Sequence, residues 1–331
     1  MNPQPPTNLA ILQKACQKYG YTFRMIDDFS GRLAEVSNEQ KNFVVGVGSV
    51  PSYPLNYSFA QALAKDKAWM SQKLAKLGYQ VPQGDYFFLS EEYQELRSPG
   101  KEKDDAFEYA DQLGYPVFVK PNKLSLGRGA EVIYTLEQLM EHLDKLAQFD
   151  YIALIQKVID LPEYRLFVVN GEVQFLYQKS LPQVVGDGKQ SIRELIKKLN
   201  GGIKYDRNHV ALDSFFIEDQ LRDQDLNLET VLNEGQKLSV SSHANLSAGG
   251  KISHYHPQAS GVVNAWAKKL TDQINLSVCG IDVFVDGTIE DPKNFTILEV
   301  NSNPSLKGIY ELGEVEKAMG VWGRVLEAYF I

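Results

Sequence analysis

Near the end of the chain, "ILEVNSNPSL" (297–306) sets a carboxylate, Glu299, and an amide, Asn301, two residues apart behind an apolar run. In a strand, residues i and i+2 project from one face, so the two would stand together as hard oxygen ligands. Such a pair suits a magnesium ion whose other positions go to water and phosphate. The same composition also makes a strand end running into an Asn/Pro turn, and the stretch alone does not separate the two. A second feature carries positive charge. Lys120 ends the apolar run "YPVFVK" and is followed by Ser125, Gly127, Arg128 and Gly129. An ammonium beside a loop whose backbone N–H groups can turn inward binds phosphate; the plainer alternative is a strand-end surface lysine. The loop is not a Walker loop, because G-x-x-x-x-G-K-[ST] is absent, and "GVGSVP" at 46–51 is a G-x-G without dinucleotide context.

Other chemistries are poorly served. There is no G-x-S-x-G elbow and no credible Cys/His pairing. His254 and His256 in "ISHYHPQ" alternate as in an exposed strand and lack further ligands for zinc. His209 and His243 are candidate substrate contacts. Cys16 and Cys279 lie too far apart in sequence to indicate a disulfide framework or a thiolate metal site. The formal charge of −8 argues against nucleic acid as the main partner, so any anion site must be locally basic. The start lacks a basic, then apolar, export segment, and no later run reaches about 18 apolar residues. A soluble cytoplasmic protein with no membrane partner is expected.

Elements must then position these groups. The 331 residues are 44% hydrophobic and 23% charged, enough for an ample core, and the length predicts two or three subdomains. Helix and strand signals alternate, which predicts an α/β chain with antiparallel parts. After a flexible "NPQPP", residues 8–18 have helical spacing, and "YTFRMI", "LAEVS" and "NFVVGVG" read as strands. One helix is expected from Ser58 to Leu77, ended by Gly78, with a polar break at "RSPGKEKDD". Asn170-Gly171 and Asp286-Gly287 predict hairpins, and a long variable stretch begins at "DGKQSIRELIKKLNGG".

The order of these features carries a resemblance. "AKDKAWMSQKLAKLGYQVPQG", "YPVFVKPNKLSLGRGAEV", "EYRLFVVNGEV", "VVGDGKQSIRELI", "ANLSAGG" and "GIDVF…ILEVNSNPSL" follow one another over roughly residues 58–310. In this the chain resembles the ATP-grasp superfamily of carboxylate–amine ligases, most closely the ATP-grasp module of cyanophycin synthetase and of the bifunctional glutathione-making enzyme. The resemblance implies an α/β ATP-grasp fold: a small amino-terminal lobe (1–65), a subdomain with a glycine-rich lid (66–155) and a carboxy-terminal subdomain with the metal site (156–331), the last two clasping ATP. It implies that Lys67 and Lys120 contact ATP phosphates beneath the loop of Ser125, Gly127, Arg128 and Gly129. Gln156, Lys157 and Ile159 would border the adenine, Glu163 the ribose, and Asp282, Glu299 and Asn301 would hold Mg2+, or Mn2+ in its place.

The implied reaction is acyl activation. A substrate carboxylate attacks the γ-phosphate and an amine then displaces phosphate, forming an amide or peptide bond between small amino acid or peptide substrates. Three positions depart from the family. Position 156 is Gln where many relatives have Glu. Gly280 stands where D-alanine:D-alanine ligases have an arginine. Ser241 stands where cyanophycin- and glutathione-type sequences have one, so Arg165, Arg193 or Arg207 is expected to supply the catalytic cation. A homo-oligomer, dimer or tetramer, is the expected assembly. A small-molecule kinase and a non-catalytic nucleotide-binding module are the alternatives to a ligase.

Overall fold

Apolar positions at Leu9, Ile11, Leu12, Ala15 and Cys16 give α1 (Thr7–Tyr19) one buried face. It shares a core with a three-stranded antiparallel sheet of β1 (Thr22–Met25), β2 (Leu33–Ser37) and β3 (Asn42–Gly46). The computed structural model describes residues 6–48 and 50–331. The opening residues 2–5, expected to be flexible, and Ser49 within "GVGSVP" lie outside the described residues.

The single helix expected over 58–77 is instead two, α2 (Ser58–Lys65) and α3 (Lys67–Lys76). Asp66 breaks it. Its extended backbone ends one helix, and its side chain accepts from Trp69 N at 3.0 Å to start the next. The helical periodicity of the two segments is continuous enough to hide the break, but its consequence is functional: Lys67 becomes a first-turn residue.

The second sheet runs β4-β7-β5-β6, all antiparallel. Its strands are β4 (Gly84–Phe88), β5 (Val117–Pro121), β6 (Glu131–Ile133) and β7 (Ile152–Lys157), with α4 (Lys103–Leu113) and α5 (Leu136–Leu146) between them. The polar break at 97–105 contains the start of α4, because Glu102 and Asp105 form a capping box there. Val117, Val119, Ala153 and Ile155 pack with these two helices. By alternation, Phe118, Lys120, Leu154 and Gln156 face the other way.

The chain then crosses to a five-stranded antiparallel sheet in the order β12-β9-β8-β13-β14. β8 (Glu163–Val169) and β9 (Glu172–Ser180) form the expected hairpin, with Asn170 and Gly171 both at positive φ. An excursion follows with its own core: β10 (Gln183–Val185), α6 (Ile192–Gly201), α7 (Phe215–Asp223) and β11 (Lys237–Ser239). β12 (Lys251–His256), α8 (Gly261–Ile274), β13 (Val278–Val285) and β14 (Phe295–Asn301) complete the sheet. The Asp286-Gly287 connection between β13 and β14 is wider than a two-residue turn, spanning to a 3-10 turn at Pro292–Asn294. α9 (Lys307–Glu311) and α10 (Val315–Phe330) return to the first lobe, where Trp322 stacks on Tyr53. Among the described residues no helix is long and apolar enough to cross a membrane.

Candidate active site

Two register shifts in the five-stranded sheet bring the charged residues together. β13 pairs Phe284 with Thr296 and Val283 with Ile297, but Asp282 with Glu299. Leu298 is the extra residue. Without that bulge Asp282 would oppose Leu298 and Glu299 would point away. Likewise the hairpin pairs Val168 with Val173 but Phe167 with Phe175, so that Glu163 opposes Lys179 rather than Gln178. Asp282 also lies opposite Arg165 on β8.

The result is an ionic cluster. Asp282 is 1% exposed and accepts from Arg165 through both carboxylate oxygens, the Nε to Oδ1 distance being 2.6 Å. Lys179 Nζ lies 3.0 Å from its Oδ2 and also bonds Glu163. Burial alone would raise the Asp282 carboxyl, but Arg165 and Lys179 outweigh it and hold that group well below the usual carboxylate range. For Glu163 burial prevails over Lys179, and its carboxyl is pushed up. Asn301 donates from Nδ2 to Glu299 Oε1 at 2.8 Å and to Asp282 Oδ2 at 3.4 Å. The acid–amide spacing at 299 and 301 thus places both side chains beside Asp282. Gly280 lies beneath Arg165: a Cβ there would stand 3.5 Å from the arginine Cδ and Nε.

Two lysines face this cluster, Lys120 from β5 of the four-stranded sheet and Lys67 from the first turn of α3, whose Met70 and Leu74 pack with the five-stranded sheet. Burial pushes the Lys120 ammonium down to about 8, against the pull of Glu299 first and of Glu163 and Asp282 after it. Lys67 donates to the Asn122 carbonyl at 3.1 Å and to that of Leu124, and burial lowers it too. Asn122, fully buried, accepts from Ala68 N at 2.9 Å and so pins the start of α3 to the end of β5.

The glycine loop lies over this region against the 241–250 segment. Asn245 donates to the Leu126 carbonyl, and a Cβ on Gly127, whose φ is +72°, would fall 2.2 Å from His243 Nε2. Burial keeps that imidazole neutral down to about pH 4, with Lys179 pushing the same way. Ser125 is exposed, and Arg128 turns outward to stack 4.7 Å over Phe149. Gln156 is buried on the Lys120 face of β7, Lys157 is exposed and gives its N–H to the Gln83 carbonyl, and Ile159 is half-buried in the crossing. With Ser125, Leu126 and Arg128 exposed and two glycines between and after them, the loop should act as a lid. Trypsin is expected to cut after Arg128 in the free protein and several-fold more slowly with a Mg-ATP analogue present; equal rates would argue against closure.

Of the three arginines considered, Arg165 alone stands in the cluster. Arg193 pairs with Glu229 at 2.6 Å beside α6, and Arg207 lies over the Tyr205 ring. His209 makes local contacts to Ile203 and Asp206, and His254 and His256 sit on the edge strand β12. Sequence reasoning missed Lys179 and Asn122. The hairpin turn could have pointed to Lys179, had the register shift been visible. Among the described residues no three His, Cys, Asp or Glu side chains converge as a metal centre; the Asp282–Glu299–Asn301 group has two acids and an amide. These oxygens are the hard donors Mg2+ takes: Asp282 Oδ1 accepts from Arg165 and Glu299 Oε1 from Asn301, each with a lone pair to spare, whereas Asp282 Oδ2 is already shared by Arg165, Lys179 and Asn301.

Comparisons with known proteins show what the chain is similar to. A family model described as D-ala D-ala ligase C-terminus matches residues 78–186 and ends short of Gly280. The chain is 26% identical over 300 residues to the glutathione biosynthesis bifunctional protein GshAB of Streptococcus mutans, covering 87% of this chain and 38% of that protein. To the cyanophycin synthetase of Geminocystis herdmanii it is 28% identical over 262 residues, 74% of this chain and 28% of the other. It thus spans well under half the length of these relatives. A bifunctional glutathione synthetase from Pasteurella multocida shares the fold, with a TM-score of 0.52 at 20% identity, over 95% of this chain and 44% of that one.

Proposed function

We propose that this chain is an ATP-grasp protein and an ATP-dependent ligase that joins an amino acid or peptide carboxylate to an amine. The observation that carries this reading is the facing of Lys120, on β5, and Lys67, in the first turn of α3, with Asp282, Glu299 and Asn301 on β13 and β14. A nucleoside triphosphate needs cations along its phosphates, and the two lysines, Lys120 buried and Lys67 half-buried, would supply them. Glu299 and Asp282 would hold Mg2+, with Asn301 turning its amide oxygen toward it. The bound ion supplies charge neutralisation where the phosphoryl group is transferred.

The chain's own groups then have these roles. Lys120 and Lys67 hold the phosphates in line for attack. Arg165, fixed by Asp282, directs its remaining N–H groups to the carboxylate oxygen that attacks the γ-phosphorus. That P–O bond forms as the bond to the β-phosphate oxygen breaks, releasing ADP. The amine nitrogen then attacks the acyl carbon, phosphate leaves with one former carboxylate oxygen, and the amine gives up a proton. The lid keeps water from the acyl phosphate.

Following oxygen tests the route. With acid substrate labelled by oxygen-18 in both carboxylate positions, one label should appear in the phosphate released, and only with the amine present. Unlabelled phosphate beside stoichiometric amide would overturn the acyl phosphate, and a stable phosphorylated product would identify a kinase. Screening pooled amino acids and dipeptides for stimulated ADP release would supply the substrates.

A lysine pair tests the phosphate assignment. Lys120→Ala should weaken ATP binding and turnover together, each by about tenfold or more, because a buried ammonium beside phosphates acts in ground and transition states alike. Lys123, exposed with its ammonium over the Tyr151 ring, is the comparison. Lys123→Ala should change either constant less than about twofold. Equal losses in the two variants would displace Lys120 from the phosphates.

A further inference from the structure

We infer that Glu131 is a proton-operated latch between the two sheets: neutral, it holds α7 of the excursion against the lid-bearing sheet, and ionised, it lets α7 go. The excursion, residues 181–250, is inserted between β9 and β12 of the five-stranded sheet, yet α7 packs on β6 of the four-stranded sheet. β6 begins two residues after Gly129, the last glycine of the lid. The lid tip, at Leu126 and Gly127, rests on Asn245 and His243, which lie on the return limb of the same excursion. One inserted piece therefore holds the lid at its tip and at the strand that follows it.

The contact between α7 and β6 has an apolar and a polar half. The Phe215 ring packs with the core of the four-stranded sheet, edge-on to His142 with ring centroids 6.4 Å apart, and the Lys145 ammonium lies 5.8 Å from its centroid. Next to it, the Phe216 N–H is one of the first-turn donors that α7 cannot satisfy from within. It donates to Glu131 Oε1 at 3.2 Å. Ser214, the N-cap residue, takes the Ile217 N–H at 3.2 Å. The start of α7 is thus capped in part by its own serine and in part by a glutamate of the other sheet.

A carboxylate at a helix start is ordinarily stabilising, but this one is poorly placed to ionise. Glu131 is half-buried, and Asp213 and Glu218 repel its charge from the side of α7. Lys145, the cation whose field reaches it from α5, is paired with Glu141 at 2.6 Å. Tyr134, next after β6, faces Asp219, which is itself paired with Arg222. His142 bonds the Gly129 carbonyl at 3.1 Å and is pushed below the usual histidine range by burial. Burial, with Asp213 and Glu218 behind it, outweighs the Phe216 and Val132 N–H groups and pushes the Glu131 carboxyl up to about 7. An acid raised on docking favours the docked state while protonated. The latch is therefore at full strength below the ordinary glutamate pKa, about 4.3, weakens as pH rises from there to about 7, and stays weak above.

Amide hydrogen exchange of the intact protein without nucleotide reads the latch at the Phe216 N–H, which bonds Glu131 directly. Glu131→Gln keeps an acceptor oxygen at the same reach and cannot ionise, so comparing it with the parent at one pH cancels the intrinsic exchange rate. The parent-to-variant ratio of exchange rates at Phe216 should rise about tenfold or more from pH 5 to pH 8. Glu131→Ala, which has no acceptor, should exchange quickly at both. At pH 8 trypsin should also cut after Arg128 several-fold more slowly in Glu131→Gln than in the parent. A ratio that stays level with pH overturns the latch, and equal cutting of the two proteins overturns its hold on the lid. Neither measurement involves ATP or a second substrate, so their outcome is separate from that of the ligase reading.

Discussion

Glu299→Ala should fold like the parent and lose a hundredfold or more in turnover, about 3 kcal/mol of transition-state stabilisation. Folding is spared because Glu299 is the least committed acid of the cluster: its hydrogen bond comes from Asn301, and its nearest cation, Arg165, is 4.0 Å away. Turnover is not spared, because this is the acid that pulls most strongly on both Lys120 and Lys67. Its loss therefore also acts at the phosphates. Burial already pushes Lys120 down to about 8; without Glu299 that ammonium should lose its proton at a lower pH. The sign follows from linkage: a cation needed for binding is present below its pKa and lost above it. ATP affinity in the parent should then decline above about pH 8, and in Glu299→Ala the decline should begin at lower pH. Calorimetric titrations between pH 7 and 9 would show this independently of turnover. Near-normal turnover in saturating Mg2+, with an unshifted pH profile, would remove Glu299 from the site.

How much of this cluster was legible beforehand depended on the range of the interaction that forms it. Glu299 and Asn301 are two apart, and strand alternation is a local rule, so their shared face could be read from the chain. Lys120 was legible because a charge closing an apolar strand is conspicuous beside a glycine loop. Lys179 was not. It reaches Asp282 only because the β8–β9 register shifts between Phe167 and Val168, and a turn such as Asn170-Gly171 fixes register at one end of a hairpin without announcing a bulge farther along. The break at Asp66 was missed for a different reason. Lys, Ala, Leu and Gln are good helix formers on both sides of it, and a single capping aspartate competed with them and prevailed. Gln156 has no local signature at all; its meaning comes from resemblance, and its unpaired oxygen from three strands meeting around it.

The largest stability effect should come from Arg165. Arg165→Ala leaves Asp282, 1% exposed, with Lys179 as its close cationic partner, and a buried acid deprived of its bidentate arginine typically costs about 3 kcal/mol or more. Arg193→Ala, which opens an exposed pair with Glu229, should cost less than about 0.5 kcal/mol. Urea unfolding at pH 7 would measure both. The pH dependence distinguishes the ion pair from lost packing around the arginine stem. In the parent, Asp282 is held below the usual carboxylate range, so its contribution is complete above the unfolded-state pKa, about 3.9, and is lost as pH falls below it. The penalty of Arg165→Ala should therefore narrow when unfolding is repeated near pH 3.5, whereas a packing loss would persist unchanged. A penalty under about 1 kcal/mol at pH 7 would mean that Lys179 alone satisfies Asp282.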